Sequence, residues 1–545
     1  MNKILLVGLN ARYTHSNLAL YYIASQVKSS NNYKASIYET SINTPYLSIL
    51  GQCIDEKPDV IGFSVYIWNS DLVKRLVGDI NRIKPSLKII LGGPQITYNH
   101  RDWREHGAVL IMGTETSFRA AMLDDFAKNE YSELAEEFDN IIFPYNGKQI
   151  ESLKKGYVYY ESSRGCPFNC SFCLSSAQKM LSYRSLDKVF DELLFFIKNR
   201  VKTVKFIDRT FNSDPSRARK IWNFLINNKN ETLFHFEIEP SLLQEEDFKI
   251  LEMVPDGLFQ LEVGIQSVNL KTLKEVKRGG SPERILNAVR RLSRLRNIHL
   301  HTDIIAGLPY ETVESFERTF NRIYMAGADN IQLGFLKVLP GTVMSHKKDE
   351  YNIICSKYPP YEIFSNKWMS FDDLNFLRNV EKMIGGIHNC GKMNNYVRYL
   401  GSRFLSPFEH YSNLVIFAKK TDFDLSTKDL DKIAEFLINY HNTVGDGDIV
   451  CDILVYDRLF YSKTLSLPAF FSAKDGSSDK KIFITHIRYQ FGEAFSKAIA
   501  KKSLPFRLTQ KSAVFLGFEK NTVAVFCNGE PCLPRKTGCY TIFFR

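Results

Sequence analysis

Three of the chain's ten cysteines fall within eight residues, in the stretch "RGCPFNCSFC" from Arg164 to Cys173. Cys166, Cys170 and Cys173 are separated by three residues and then two, so a single loop can present three thiolates to one metal centre. Thiolates are the usual ligands of iron–sulfur clusters, and three of them around a four-iron cube leave one iron open to another molecule. Gly165 and Pro167 suit a chain that bends around such a centre, and Phe172 stands between two ligands, where it can pack on a bound cofactor. Zinc would instead require a fourth ligand to close a tetrahedron. No fourth cysteine or histidine lies nearby in the sequence, so a structural zinc site would need a distant one.

The chain has 545 residues, too many for one hydrophobic core, and two or three domains are expected. Its 44% hydrophobic and 24% charged content exclude a disordered or fibrous class. No apolar run reaches a membrane-spanning length, and "MNKILLVGLNARY" turns polar too early for a secretory signal. A cytoplasmic location is expected, where cysteines stay reduced and a tight cluster of them reads as metal-binding or catalytic. The formal charge of +11 is spread along the chain, with mild enrichment near Lys497 to Lys511. It reads as a solvated surface before a nucleic-acid footprint.

The elements that must position the cysteines alternate in two series. Up to about residue 145, β-type runs such as "KILLVGL", "KASIYET", "PDVIGFSVY", "LKIILGGP" and "AVLIMGTE" alternate with helical segments such as Asp71 to Ile83. This pattern predicts an open, doubly wound parallel sheet with helices on both faces. The second series, expected over 155–345, comprises "YVYYESS", "VKTVKFID", "LFHFEIEP", "LFQLEVGIQS", "IHLHTDIIAGLP" and "NIQLGFLKVLPG". Six successive βα units predict a partial (β/α)6 barrel, with the cysteines at the carboxyl end of its first strand, the face that carries chemistry in such barrels. Residues 346–545 mix helical stretches such as "KDLDKIAEFLINYH" with strand-like ones, "DILVYDRLFY" and "NTVAVFCNG", and are expected to form an α+β domain concerned with substrate selection. Ser185, ahead of "LDKVFDELLFFI", reads as a helix N-cap.

The pattern in "CPFNCSFC" resembles that of the radical S-adenosylmethionine (SAM) superfamily. The resemblance implies a [4Fe-4S] cluster on Cys166, Cys170 and Cys173, with the open iron chelated by SAM. It further implies a 5'-deoxyadenosyl radical and an electron donor such as a flavodoxin or ferredoxin. The other strand ends are similar to the cofactor-binding positions of this superfamily. They offer Asp208 and Asn212 in "FIDRTFN", Glu237 and Glu239 in "FEIEP", and Glu262, Gln266 and Ser267 in "LEVGIQS". Gly307 to Pro309 in "TDIIAGLPYET" resemble the segment that borders the adenine. Taken singly, such residues at strand ends also cap helices or meet solvent.

A doubly wound domain ahead of such a barrel resembles the cobalamin-binding domain of one branch of the superfamily. The loops Ser64-Val65-Tyr66, Gly92-Gly93-Pro94 and Gly113-Thr114-Glu115 look like those that surround the nucleotide tail of the corrinoid. The usual D-x-H-x-x-G is missing: "NARYTH" has Asn10 and Arg12 instead and no glycine, so no histidine ligand on cobalt is expected. His15 reads as an exposed or hydrogen-bonding residue. The alternative is the same fold without a corrinoid.

The function expected from the resemblance is cobalamin-dependent radical methylation of an unactivated carbon. The alternatives are a radical rearrangement, cyclisation or oxidation without methyl transfer, an RNA-modifying radical enzyme, or a non-catalytic iron–sulfur protein. In the C-terminal region, Cys527, Cys532 and Cys539 read as buried or incidental thiols before a second metal site.

Overall fold

The computed structural model describes residues 1–28, 30–133, 137–154, 156–177, 181–228, 231–404, 406–461 and 467–471, together with 503–507, 510–516, 523–527 and 539–540. The chain divides into two compact units. One comprises Met1–Thr319, Ala326–Ala328 and Leu333–Leu374; the other comprises Phe320–Met325, Asp329–Gln332 and Asn375–Arg545.

The first unit opens with a parallel sheet of six strands: β1 (Asn2–Asn10), β2 (Tyr33–Ser41), β3 (Val60–Ser64), β4 (Lys88–Gly92), β5 (Val109–Met112) and β6 (Glu130–Ser132). Their spatial order is β2-β1-β3-β4-β5-β6. Alternate residues of β1 feed two cores: Leu5, Val7 and Leu9 pack on one face with Trp103, and Ile4 and Leu6 on the other with Phe118. This double burial explains why the strand reads as a continuous apolar run. The order reverses between β1 and β3, which opens a crevice at their carboxyl ends, where ligands of such sheets bind.

Gly93 follows β4 with φ +101°, and a side chain there would meet the Val65 carbonyl oxygen at 2.7 Å. Two backbone bonds lock these loops together, Val65 N–H to Gly92 O at 2.7 Å and Gln95 N–H to Val65 O at 3.2 Å.

The second sheet holds β7 (Tyr157–Tyr160), β10 (Thr203–Phe206), β11 (Leu233–Ile238), β12 (Phe259–Gln266), β13 (His299–Ala306) and β14 (Asn330–Phe335), in the order β14-β13-β12-β11-β10-β7. The ladders from β7 through β13 are parallel. Between β7 and β10 lies a short antiparallel pair, β8 (Ser163–Arg164) and β9 (Ser182–Tyr183), which closes the base of the cysteine loop. A further antiparallel pair, β15 (Ile354–Cys355) and β16 (Ile363–Ser365), completes the unit's strands among the described residues.

In the second unit, helices Asn394–Arg403, Pro407–Lys420, Leu430–Val444 and Gly447–Tyr461 are followed by an antiparallel sheet of β17 (Ser503–Arg507), β18 (Val523–Cys527) and β19 (Cys539–Tyr540). The segment "DILVYDRLFY" is helical, contrary to the strand expectation. Val450, Ile453, Leu454 and Asp457 recur one helical turn apart and are buried together, whereas so short an apolar run also fits a strand's period. Asp457 caps a neighbouring helix, accepting from the backbone N–H groups of Asn395 at 3.1 Å and Tyr396 at 3.0 Å. The buried Tyr396 hydroxyl stands 3.1 Å from His410 Nε2 and 2.9 Å from His441 Nε2. His441 Nδ1 lies 2.7 Å from Asp446 Oδ1.

Ser185 occupies its N-cap position, but its hydroxyl makes no capping bond; instead its N–H donates to Asp139 Oδ1 at 2.7 Å. Cys532 and most of Lys497 to Lys511 lie outside the described residues. Cys527 and Cys539 fall in paired strands. No helix among the described residues is long and apolar enough to cross a membrane.

Replacing Gly93 by alanine forces a left-handed backbone on a residue whose Cβ has no room, which costs about 1–3 kcal/mol. A melting temperature lowered by several degrees in calorimetry is the expected result.

Candidate functional site

Cys166, Cys170 and Cys173 are all free, and they line one cavity of about 150 Å³ with residues from the ends of β10 to β13. Among the described residues, no three His, Cys, Asp or Glu side chains close in around a single ion, as a tetrahedral zinc would require. A cube of iron and sulfur holds its thiolates further apart. Burial pushes the Cys170 thiol up, while Arg278, whose Nη1 donates to Cys170 Sγ over 3.9 Å, pulls against it. Thr210 Oγ1 lies 3.6 Å from Cys166 Sγ.

Of the residues expected to meet SAM, Phe172, Glu237, Glu239, Glu262 and Gln266 line this cavity. Gln266 ends β12 in a left-handed conformation, φ +69°, beside a register shift between Gly264 and Gln266. A side chain at Gly264 would meet the Gln266 amide at 2.5 Å, so this glycine lets the amide fold back across its own strand. Strained, bulged strand ends of this kind re-aim side chains next to active sites. Gln266 Oε1, Asp303 Oδ1 and Arg278 Nε are buried without partners around the same cavity. These orphaned groups, of both hydrogen-bonding senses, fit a polar cofactor.

Five of the expected residues lie outside the lining of this cavity. Asp208 is fully buried beneath the loop and accepts from Ser162 N–H at 2.8 Å, Ser162 Oγ at 2.6 Å and Ser163 Oγ at 2.6 Å, so it braces the chain instead of facing the cavity. Ser267 is also buried, and its hydroxyl accepts from Asn269 N–H at 3.0 Å. Gly307 lies under Ile363 with its carbonyl accepting from Asn366 Nδ2 at 2.9 Å, and neither it nor Pro309 lines the cavity. Asn212 is likewise structural, exchanging hydrogen bonds with the Glu239 backbone.

The reading missed Arg278, Asp303 and Gly264. Arg278 Nη2 donates to Glu239 Oε2 at 2.6 Å and to Gly264 O, so it ties β11 and β12 to the cluster loop. It lies in a connection after β12, where no strand-end argument looks. Asp303, in contrast, was visible in the inward alternation of "HTDIIAG".

The electrostatics here are tightly coupled. Burial, with the neighbouring Glu262 next in weight, raises Asp303, while Glu262 is lowered by His235, whose Nε2 lies 3.0 Å from Glu262 Oε2 outside good hydrogen-bond alignment. Burial pushes Glu237 up to about 7 against the pull of Arg209.

In the first sheet, a second cavity of about 260 Å³ opens at the carboxyl ends of β3, β4 and β5. Ser64, Tyr66, Gly92, Gly93, Gly113 and Glu115 line it, between apolar walls that include Ile90 and Phe118. The buried Ser64 hydroxyl has no well-formed hydrogen bond. Small residues, apolar walls and an orphaned hydroxyl fit a flat heterocycle such as the corrinoid tail. Val65 and Pro94 shape the loops without lining the cavity, and Asn10 is turned away, donating to His15 O at 2.8 Å and Glu39 Oε1 at 2.9 Å. His15 Nδ1 lies 2.9 Å from the Tyr159 hydroxyl, and burial, followed by Lys205, lowers its pKa. The Tyr66 and Trp68 rings stack 4.3 Å apart beside this opening, and Trp68 Nε1 donates to Leu9 O at 3.1 Å.

A parallel sheet of βα units with three free thiols past its first strand, preceded by an open sheet with a cavity at its strand ends, is the arrangement expected of a radical SAM enzyme with a corrinoid domain. Residues 160–323 match the radical SAM superfamily, 4–123 the B12 binding domain, and 349–521 a protein family of unknown function, DUF4080. These matches give the chain a radical SAM domain and a B12 binding domain, whose cofactors are a [4Fe-4S] cluster, SAM and cobalamin.

Among its relatives is an uncharacterized methyltransferase, PH0819, of Pyrococcus horikoshii, 25% identical over 60% of this chain and 76% of that protein. The cobalamin-dependent radical SAM methyltransferase TokK of Streptomyces tokunonensis is 22% identical over 54% of this chain, which spans about half of TokK's length. The cobalamin-dependent radical enzyme OxsB, with aqua-cobalamin bound, shares the fold with a TM-score of 0.59 at 15% identity, over 84% of this chain and 80% of OxsB. TsrM of Kitasatospora setae shares it at 0.54 and 16% identity, over 66% of this chain and 82% of TsrM.

Because Glu237 is raised in the folded chain, folding favours its protonated form. Its stabilising contribution is full below the ordinary carboxylate range and is lost as pH rises through about 7. In the cofactor-free protein, Glu237→Gln should therefore melt higher than wild type at pH 8, with the gap closing toward pH 4.5, in melting curves recorded across that range.

Proposed function

We propose that this protein is a cobalamin-dependent radical SAM methyltransferase that methylates an unactivated carbon of its substrate. The observation that carries the reading is the pairing, inside one compact unit, of three free thiols among orphaned polar groups with a glycine-lined cavity in the preceding sheet. When bound, the cluster and SAM supply a 5'-deoxyadenosyl radical, and cobalamin supplies a methyl group.

Cys166, Cys170 and Cys173 hold the cluster in this reading, and Arg278 counters the negative charge that collects at Cys170. Glu237, Glu262, Gln266 and Asp303 bind the amino and hydroxyl groups of SAM, and Phe172 packs against it. Ser64, Gly92, Gly93, Gly113 and Glu115 hold the corrinoid tail, with Val65, Pro94 and Asn10 setting the loops. Residues 346–545 supply substrate selection. Polar side chains from β10 to β13, buried away from water, fix the reactants so that the radical meets one carbon and not solvent.

Anaerobic reconstitution with iron, sulfide and hydroxocobalamin, followed by reduction in the presence of SAM, tests the proposal. One cluster and one corrinoid per chain are expected, with 5'-deoxyadenosine formed and S-adenosylhomocysteine formed only when corrinoid is present. Cys166→Ala, Cys170→Ala and Cys173→Ala should each reduce 5'-deoxyadenosine to background. Formation of 5'-deoxyadenosine by a protein that takes up no corrinoid would replace methylation with a radical rearrangement, cyclisation or oxidation. Undiminished product from any cysteine variant would end the radical assignment.

A further inference from the structure

The cavity in the first sheet is not walled by the first sheet alone. Glu161 and Arg164 also line it, and these two residues belong to the chain leading from β7 into the cysteine loop. Arg164 Nη1 donates to Glu115 Oε1 at 2.8 Å, while its Nε and Nη2 donate to Glu161 Oε1 and Oε2 at 3.2 and 2.8 Å. The three side chains are only 17%, 8% and 13% exposed. Burial works against the Arg164 charge, and Glu161 and Glu115 more than restore it. The guanidinium also lies over the Phe138 ring at 4.5 Å and faces Tyr22 at 5.8 Å. A planar fork shared between two carboxylates and an aromatic face has one well-defined orientation, which a lysine could not reproduce.

The other end of this fork is the metal site. Arg164 pairs with Ser182 across the β8–β9 ladder and is followed by Gly165, with φ +93°, and then by Cys166. Displacing the Arg164 backbone therefore displaces the first cluster ligand, with one glycine between them. At the opposite end of the loop, Arg184 is held by Glu192 at 2.7 Å and by the Ile141 carbonyl at 2.8 Å, and makes no contact with the cavity. Of the two arginines at the loop base, only Arg164 lines the first-domain cavity.

We infer that Arg164 is a positioning residue that couples occupancy of the first-domain cavity, through Glu115, to the placement of the cysteine loop. An occupant that presses on or bonds to Glu115 changes the partner of Arg164 Nη1, and the loop responds. The inference rests on reading this cavity as the corrinoid tail site. Coupling of two sites is reciprocal: if corrinoid orders the cysteine loop, then the assembled cluster must tighten corrinoid binding by the same factor.

The test is the dissociation constant of hydroxocobalamin, measured by absorbance titration on the iron-free and the cluster-loaded full-length protein. In wild type, the cluster-loaded form should bind at least about fivefold more tightly, the lower end of ordinary coupling. In Arg164→Lys, and in Glu115→Gln at the cavity rim, the ratio of the two constants should fall to about one while iron content stays at one cluster per chain. A purely structural role would weaken binding to both forms alike and leave the ratio unchanged. A ratio of one in wild type, or a wild-type ratio in both variants, overturns the coupling. Absence of corrinoid binding to either wild-type form overturns the tail-site reading together with it.

Discussion

Ser162 is the point on which the catalytic face turns. Its N–H and hydroxyl are gripped by Asp208, and its carbonyl accepts from the Arg184 N–H at 3.0 Å and from Arg217 Nη2 at 3.1 Å. Four hydrogen bonds at one buried residue join the end of β7, the end of β10, the strand that closes the cysteine loop and the helix Pro215–Asn227. Burial raises Asp208 to about 6, with the hydrogen bonds from Ser162 and Ser163 opposing it. Such a fully partnered polar network specifies one arrangement and costs heavily if a member is lost. The cysteines that follow inherit their position from it.

Much of this was legible in the sequence, for definite reasons. The sheet of the first domain shows itself through strands buried on both faces, and the second through six apolar runs separated by room for a helix or a shorter connection. The cysteine triplet is legible because three ligands sit on one loop, where spacing along the chain is spacing in space. The strand-end acids were harder. Glu237, Glu262 and Asp208 look alike in sequence, yet the first two face the cavity and the third points beneath the loop, because Asp208 lies past the end of its strand, where alternation no longer decides direction. Arg278 escaped because it reaches the site from a connection between helices, and no local pattern reports such a reach. Asn10 sits at the right strand end, but Glu39 across the β1–β2 pair claims its amide. Which side of a strand end a polar residue serves is a tertiary fact.

The barrel interior departs from the apolar filling that such barrels ordinarily have. The register sets Lys205 beside His235, His235 beside Gln260, and Gln260 beside His299; one step up, Glu237 stands beside Glu262 and Glu262 beside His301. Burial lowers the pKa of the Lys205 ammonium, against the pull of Glu262 and Glu237. Phe206, Phe234 and Phe236, at the alternate strand positions, are buried, with the Phe206 and Phe236 rings 4.7 Å apart, and carry the packing that the interior gives up.

The two-residue ladder of β8 and β9 bears on the entropy of the cysteine loop. It ties Arg164 to Ser182 within the chain, so part of the entropy of bringing those ends together is met by the polypeptide and not by ligation. The three cysteines are thereby carried on one short closed segment of chain and line one cavity.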